Sequence, residues 1–157
     1  MMNNPVTRIS VTYNVAMITV DNLPNNMKLI SDIFNSIAQQ NINVDMISQA
    51  PPYRGYINLS FSLPSDDLIK AISTLNKFKK DIPDLRIEVD NNNTKLSVYG
   101  ENMKDLPGVA AKLFTILAGN NIEVKLVTTS EVDISYLIFE KDVDKAINAI
   151  KNEYNIQ

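Results

Sequence analysis

The chain has 157 residues, of which 45% are hydrophobic, and its formal charge at pH 7 is −3. Histidine and cysteine are both absent, which removes imidazole bases, thiol nucleophiles, disulfides and the commonest zinc ligands. Acidic and basic residues are mixed, no apolar run approaches the ~20 residues of a membrane span, and residues 1–5 lack the character of a signal peptide. We therefore expect a cytoplasmic protein without nucleic-acid or membrane partners.

The first half of the chain shows strand and helix periodicities in the order ββαββαβ. These segments are residues 6–13, 16–20, 27–40, 43–49, 56–63, 65–78 and 85–89. A short turn is predicted at Asn14-Val15, a longer one over residues 21–26, and Ser65 is the predicted N-cap of the second helix. The asparagines at 91–93 indicate a linker.

The second half repeats this order but lacks the last strand. Its predicted segments are strand 95–99, helix 107–120, strand 123–129, strand 132–139 and helix 142–154. Because the first half has a surplus strand at residues 6–13, that strand is expected to complete the second sheet and to leave no open edge. The predicted domains are residues 16–91, and residues 6–15 together with 94–157.

The two halves are related by an internal duplication. Leu29, Phe34 and Ile37 recur 80 positions later as Val109, Phe114 and Leu117. In both copies an amphipathic helix is followed by Asn-Ile-x-Val, first at residues 41–44 and again at 121–124. The order βαββαβ is that of ferredoxin-like domains, so the predicted fold is α+β: two such units, with helices on one face of an antiparallel sheet, the first inserted in the second.

Four segments resemble the tandem ACT regulatory domains of bacterial aspartokinases. These are LPGVAAKLF at 106–114, TSEVDISYLI at 129–138, INVDMISQ at 42–49 and INLSFSLP at 57–64. The resemblance implies an allosteric module that binds lysine or threonine as feedback inhibitor and forms a homodimer through its ACT domains. Its partner would be an aspartokinase catalytic domain or subunit, and ATP and Mg²⁺ would belong there; no cofactor is expected in this chain. Either a fragment or a separate regulatory subunit fits this resemblance.

The resemblance also implies an effector site between ACT units, in which a helix N-terminus receives the carboxylate. The first unit would contribute Asn25, Met27, Lys28, Ile30, Asn43, Val44, Asp45, Met46 and Gln49. The partner ACT surface would contribute Val109, Ala110, Ala111, Glu123 and Val124. From their residue type alone, Asn43 and Asn121 are also plausible turn residues ahead of strands.

The chain departs from the family pattern at the first helix. Aspartokinases usually have Asp-Lys-Pro-Gly there, whereas this chain has Asn25-Asn26-Met27-Lys28. Lys28 replaces the glycine that admits the effector, Ile30 replaces an alanine, and Glu123 stands where asparagine is common. The Lys28 side chain could itself occupy the carboxylate position. The alternative is therefore an ACT-pair dimerisation module that has lost effector binding.

Two other functions of ferredoxin-like domains are less well supported. An acylphosphatase needs an arginine in a phosphate-cradling glycine loop, and Arg8, Arg54 and Arg86 lie outside any such loop. An RNA-binding sheet needs exposed aromatic residues on its central strands and a basic face, and the sequence indicates neither. Whether the parent protein is an enzyme, namely aspartate kinase, depends on a domain that this sequence does not contain.

Overall fold

The structure is a computed structural model that describes residues 4–157, so part of the segment considered above as a signal peptide lies outside it. The strands are β1 (Arg8–Pro24), β2 (Ile47–Gln49), β3 (Tyr56–Pro64), β4 (Arg86–Tyr99), β5 (Val124–Thr129) and β6 (Asp133–Phe139). The helices are α1 (Met27–Gln39), α2 (Leu68–Asn76), α3 (Val109–Gly119) and α4 (Val143–Tyr154). Both α2 and α4 are preceded by a single 3₁₀ turn.

The described chain divides into two compact units, a first unit of residues 14–92 and a second unit of residues 4–13 and 93–157. The strand order is β2-β3-β1-β4 in the first unit and β1-β4-β6-β5 in the second. The pairs β1–β3, β2–β3, β4–β6 and β5–β6 are antiparallel. The prediction of two ferredoxin-like α+β units is confirmed.

Each unit has its own core, because each helix turns an apolar stripe toward its sheet. In the first unit, Ile33 and Ile37 of α1 are fully buried in the same cluster as Ile18 and Phe61 of the sheet. The second core contains residues from α3, α4, β4 and β6, and also Val6 from the start of the chain. Next to Val6, the Thr7 N–H donates to the carbonyl of Tyr99 at 2.8 Å, so the amino-terminal segment is part of the second unit.

The turn predicted at Asn14-Val15 and the linker predicted at residues 91–93 are wrong. Both segments lie inside strands, β1 and β4 respectively. Asn14 and Asn92 have φ values of 58° and 63°, and asparagine tolerates this left-handed conformation better than other residues with a side chain. A single left-handed residue inside a strand is typical of a β-bulge, so turn-forming residues here mark irregularities within strands.

Three smaller predictions also need correction. The turn predicted over residues 21–26 starts too early, because β1 continues to Pro24 with a register shift between Val20 and Leu23. The strand predicted over residues 43–49 is regular only from Ile47. Ser65 does not cap a helix, because its hydroxyl hydrogen-bonds Asn91 Oδ1 at 2.7 Å and Pro64 is the N-cap of the 3₁₀ turn.

Candidate functional site

The amino-terminal end of α1, which is the helix entrance of the first unit, is capped by the side chain of Asn26. Asn25 N–H donates to the Gly55 carbonyl at 2.9 Å, and Asn26 is the N-cap of α1. The Asn26 Oδ1 atom accepts from the N–H groups of Lys28 at 3.0 Å and Leu29 at 3.3 Å. These are the donors that an incoming carboxylate would use, so Asn26 competes with an anion for the end of α1.

Lys28 does not occupy the carboxylate position. Its ammonium pairs with Asp32 Oδ2 at 3.0 Å, one helical turn further along α1, and its side chain is 83% exposed. The expectation that Lys28 could occupy the carboxylate position is therefore wrong, because the Asp32 carboxylate attracts its ammonium along the helix and away from the positive helix end. Of its predicted neighbours, Met27 is exposed, whereas Ile30 is a buried member of the first core.

The second group of predicted residues lies around the start of β2. Asn43, Asp45 and Gln49 are exposed, Val44 packs against the first core, and Met46 is buried. The backbone is held there by β3. Its Ser62 hydroxyl accepts from the N–H of Met46 at 2.9 Å, and its Ser62 carbonyl accepts from the N–H of Asp45 at 3.1 Å.

Most of the second group lies far along the first sheet from the α1 entrance, although Gln49 pairs with Leu59, three residues from Tyr56. Pro24, just before α1, pairs with Tyr56 of β3, whereas Asp45 hydrogen-bonds Ser62 of the same strand. At ~3.3 Å per residue the two ends are about 20 Å apart along β3. One ligand of amino-acid size cannot contact both the α1 entrance and Asp45 in one unit, so a site that includes both needs a second ACT surface.

The second unit has the same layout with an uncapped helix. Gly108 precedes α3 with a φ of 87°, and no side chain caps the helix. Val109 is buried, and Ala110 and Ala111 are exposed. The residues predicted on β5 lie toward the other end of the sheet: Glu123 is exposed at its start, and the half-buried Val124 pairs with Ile138 of β6.

A cavity of about 790 Å³ opens beside the amino-terminal end of α3, within the second unit. Its wall comes from the amino-terminal segment, the α3 entrance and the end of α4: Asn4, Pro5, Leu106, Pro107, Gly108, Val109, Lys112, Glu153, Tyr154 and Asn155. Lys112 Nζ lies 2.5 Å from Glu153 Oε1, and Asn4 Nδ2 donates to the Tyr154 carbonyl at 2.6 Å.

Sequence reasoning identified Val109 in this wall and missed the residues that give the cavity its charge. Lys112 lies within the segment 106–114 that carries the family resemblance, but Glu153 is far from it in sequence and has no motif around it. The ferredoxin-like order places the end of α4 beside the start of α3. This topology was the only feature of the sequence that indicated a shared cavity wall.

Two buried tyrosine hydroxyls distinguish the second core from the first. Phe114 contacts Tyr136 edge-to-face at 5.5 Å, as Phe34 contacts Phe61 at 5.6 Å in the first unit. The hydroxyls of Tyr136 and Tyr154 are buried and have no hydrogen-bond partner among residues 4–157. Burial raises the pKa of Tyr136 to about 12, and the nearby Tyr154 adds to the rise.

This shift predicts a loss of stability in alkali. The pKa of Tyr136 is higher in the folded chain than in the unfolded chain, so the stability that this shift contributes is complete below pH 10. It is lost as the pH rises from 10 toward 12, because only the unfolded chain ionises in that range. At ~1.4 kcal/mol per pKa unit, the loss is at most about 2–3 kcal/mol. Tyr136→Phe should reduce this alkaline loss of stability, as measured by urea unfolding between pH 9 and 12. The exposed Tyr53→Phe should leave it unchanged; equal losses in both variants would contradict the assignment.

Residues 4–157 contain no group of three or more acidic side chains placed to hold a metal ion. Within the same residues, no helix has the length and apolar character needed to cross a membrane.

Known proteins with this architecture were found by family, by sequence and by structure. The family model described as ACT domain matches residues 17–77 and 96–154. An aspartokinase of Bacillus sp. (strain MGA3) is 38% identical over 157 residues, covering 99% of this chain and 38% of that protein. A crystal structure of aspartokinase alpha and beta subunits superposes with a TM-score of 0.86 at 33% identity, covering 96% of this chain and 99% of the other.

The ligand-free regulatory subunit of aspartate kinase from Thermus thermophilus superposes with a TM-score of 0.85 at 25% identity, covering 94% of this chain and 97% of the other. The fold, with its duplicated helix entrances, is that of a regulatory domain. The chain belongs to the ACT domain family. Its tandem pair is the regulatory ACT region of an aspartokinase, as the resemblance predicted. It spans 38% of the length of the Bacillus aspartokinase.

Proposed function

We propose that this chain is the allosteric module through which an end-product amino acid, lysine or threonine, inhibits an aspartokinase. The module would act on a catalytic domain or subunit and so control synthesis of the aspartate family of amino acids. The observation that carries the proposal is the uncapped amino-terminal end of α3 behind Gly108, which has the unpaired N–H groups and positive dipole that a carboxylate needs.

We also propose that the chain forms a homodimer through its ACT units. The surface of α3 supports this. Its exposed residues are mostly small or apolar: Ala110, Ala111, Lys112, Phe114, Thr115, Ala118 and Gly119. Phe114 is 43% exposed although it packs against the second core. A helix that is apolar on nearly all sides is usually covered, and a second copy of the chain is the partner that the family resemblance implies.

A second candidate function is dimerisation without effector binding. The closed α1 entrance favours it, because Asn26 already occupies donors that the family uses for the ligand. In this case the duplicated module would be retained for assembly alone.

Calorimetric titration with lysine, threonine and methionine distinguishes the two functions. If the regulatory proposal holds, the unaltered chain binds one of these amino acids, and coupling of ~1–3 kcal/mol links that binding to the arrangement of the ACT units. If the module is silent, the unaltered chain gives no heat, and Lys28→Gly with Asn26→Ala creates binding. Ile30→Ala is a poorer variant, because it also removes a buried side chain from the first core.

Two controls make this experiment decisive. Asn35→Ala alters a side chain on the exposed face of α1, away from its entrance, and should change nothing. Sedimentation velocity at micromolar concentration measures the oligomeric state with and without ligand. A monomer under all conditions would contradict the dimer and with it the assembly function. Binding of an amino acid by the unaltered chain would contradict assembly alone, and absence of that binding would contradict the regulatory function.

A further inference from the structure

The hairpin between β2 and β3 ends in a turn that is unfavourable for one of its residues. Tyr53 and Tyr56 exchange backbone hydrogen bonds at 2.8 and 3.0 Å, and between them Arg54 and Gly55 have φ values of 51° and 83°. Such a turn favours asparagine followed by glycine, because both positions are left-handed. At every other left-handed position without glycine, the described chain has asparagine. An arginine in this conformation therefore points to a use for its side chain.

The hairpin tip, defined as residues 53–56, is an exposed aromatic surface. Tyr53 and Tyr56 are 71% and 50% exposed. The Arg54 guanidinium lies 5.2 Å from the centre of the Tyr53 ring and forms no ion pair within residues 4–157. The tip is also held in place, because the Gly55 carbonyl accepts from the Asn25 N–H. Tyrosine and arginine carry much of the binding energy of protein interfaces, and a surface that is already ordered loses little entropy on binding.

A surface of complementary character lies in the same unit. A groove of about 510 Å³ runs between the end of α1 and the start of α2, and Ile69 on its edge is 84% exposed. The Asp66 carboxylate is exposed and forms no ion pair in the part of the chain that the structure describes. The groove wall includes Gln40, Asp66, Asp67, Ile69, Lys70 and Lys77. It offers a carboxylate to a guanidinium, an aliphatic side chain to aromatic rings, and two ammonium groups to tyrosine hydroxyls.

The hairpin tip cannot reach the groove of its own chain. The tip lies at the start of β3, beside Tyr56, whereas the groove follows the end of β3 at Pro64. At ~3.3 Å per residue these points are about 26 Å apart along the strand. An arginine side chain does not span this distance. A contact between the two surfaces therefore has to join two copies of the chain.

We propose that the hairpin tip of one copy docks in the α1–α2 groove of a second copy. Arg54 pairs with Asp66, and the tyrosine rings cover Ile69. In a two-fold arrangement each copy inserts its tip into the groove of the other, so two identical contacts close the pair. This contact is separate from the α3 surface of the proposed dimer and does not depend on amino-acid binding. The two contacts together assemble four chains.

The test is sedimentation velocity of the full chain carrying Ala118→Lys, which places a charge on the exposed surface of α3 and removes the α3 contact. This chain should still form dimers at high micromolar concentration. Adding Arg54→Asn should weaken these dimers at least tenfold, and yet leave the urea midpoint unchanged or higher, because asparagine suits the left-handed turn better. Adding Asp66→Asn should also weaken them at least tenfold. Arg86→Asn, which removes an exposed arginine elsewhere in the first unit, should leave them unchanged.

Mixing the two weakened chains tests the pairing directly. The Arg54→Asn chain keeps its groove and the Asp66→Asn chain keeps its tip, so together they retain one of the two contacts. They should form a mixed dimer at concentrations where each alone is monomeric. Absence of the mixed dimer would overturn the contact, as would an Ala118→Lys chain that stays monomeric up to millimolar concentration. A dimer of the unaltered chain that Ala118→Lys dissolves completely would leave the α3 dimer standing alone.

Discussion

Gly100→Ala is expected to destabilise the second unit by about 3 kcal/mol or more, at the upper end of what overpacking costs. A Cβ atom at Gly100 would lie 1.7 Å from the carbonyl oxygen of Pro5. Gly100 has an extended backbone with a φ of −168°, so its requirement for glycine is purely one of space. Backbone cannot rotate away as a side chain can, and both segments are held in place.

Hydrogen bonds hold the two sides of this contact. The Gly100 N–H donates to the Val132 carbonyl at 2.9 Å, and one residue earlier the Tyr99 carbonyl accepts from Thr7 at 2.8 Å. Gly119→Ala is the control, because nothing lies within 4 Å of its Cβ position at the end of α3. That variant should be neutral or gain up to ~1 kcal/mol from better helix propensity. Urea unfolding measures both, and equal stabilities would contradict the close contact with Pro5.

Val6→Asp should unfold the second unit selectively. Val6 is fully buried in the second core, and an isolated carboxylate has no partner there, so a loss of roughly 3–5 kcal/mol is expected. Hydrogen exchange should then show lower protection in α3, α4 and β6, while α1 and α2 keep theirs. This result would establish the domain organisation proposed from the sequence, in which the start of the chain belongs to the second domain.

Ser10→Asp provides the comparison for this experiment. Ser10 lies in β1 but is exposed, so a carboxylate there stays in water and should change stability by less than ~0.5 kcal/mol. If Val6→Asp lowered protection equally in both units, the two cores would unfold together and the selective assignment would be wrong.

The regular elements could be predicted closely because the spacing of their apolar residues follows directly from which face is buried. The helix predicted over residues 27–40 is α1 (Met27–Gln39), and the strand predicted over residues 56–63 is β3 (Tyr56–Pro64). In both segments the apolar residues face a core. The spacing that buries them is visible in the sequence without knowledge of their partners.

The irregular features could not be predicted because their residues have more than one local use. Asn14 and Asn92 have the chemistry of a turn, and the sequence does not distinguish a turn from a bulge within a strand. Ser65 is a good N-cap by type, but Asn91, 26 positions away, accepts its hydrogen. The cavity beside α3 is built by Asn4 and Tyr154, at the two ends of the chain, so no local pattern predicts it.

The left-handed asparagines have a consequence for the denatured chain. Six of them have positive φ in the described residues, where many proteins would use glycine: Asn14, Asn22, Asn41, Asn92, Asn121 and Asn155. The whole sequence has only 4 glycines. Because glycine has the largest conformational freedom to lose, each asparagine lowers the entropy that the chain gives up on folding. Part of this protein's stability therefore comes from the restricted freedom of its unfolded form, which no contact in the folded structure reveals.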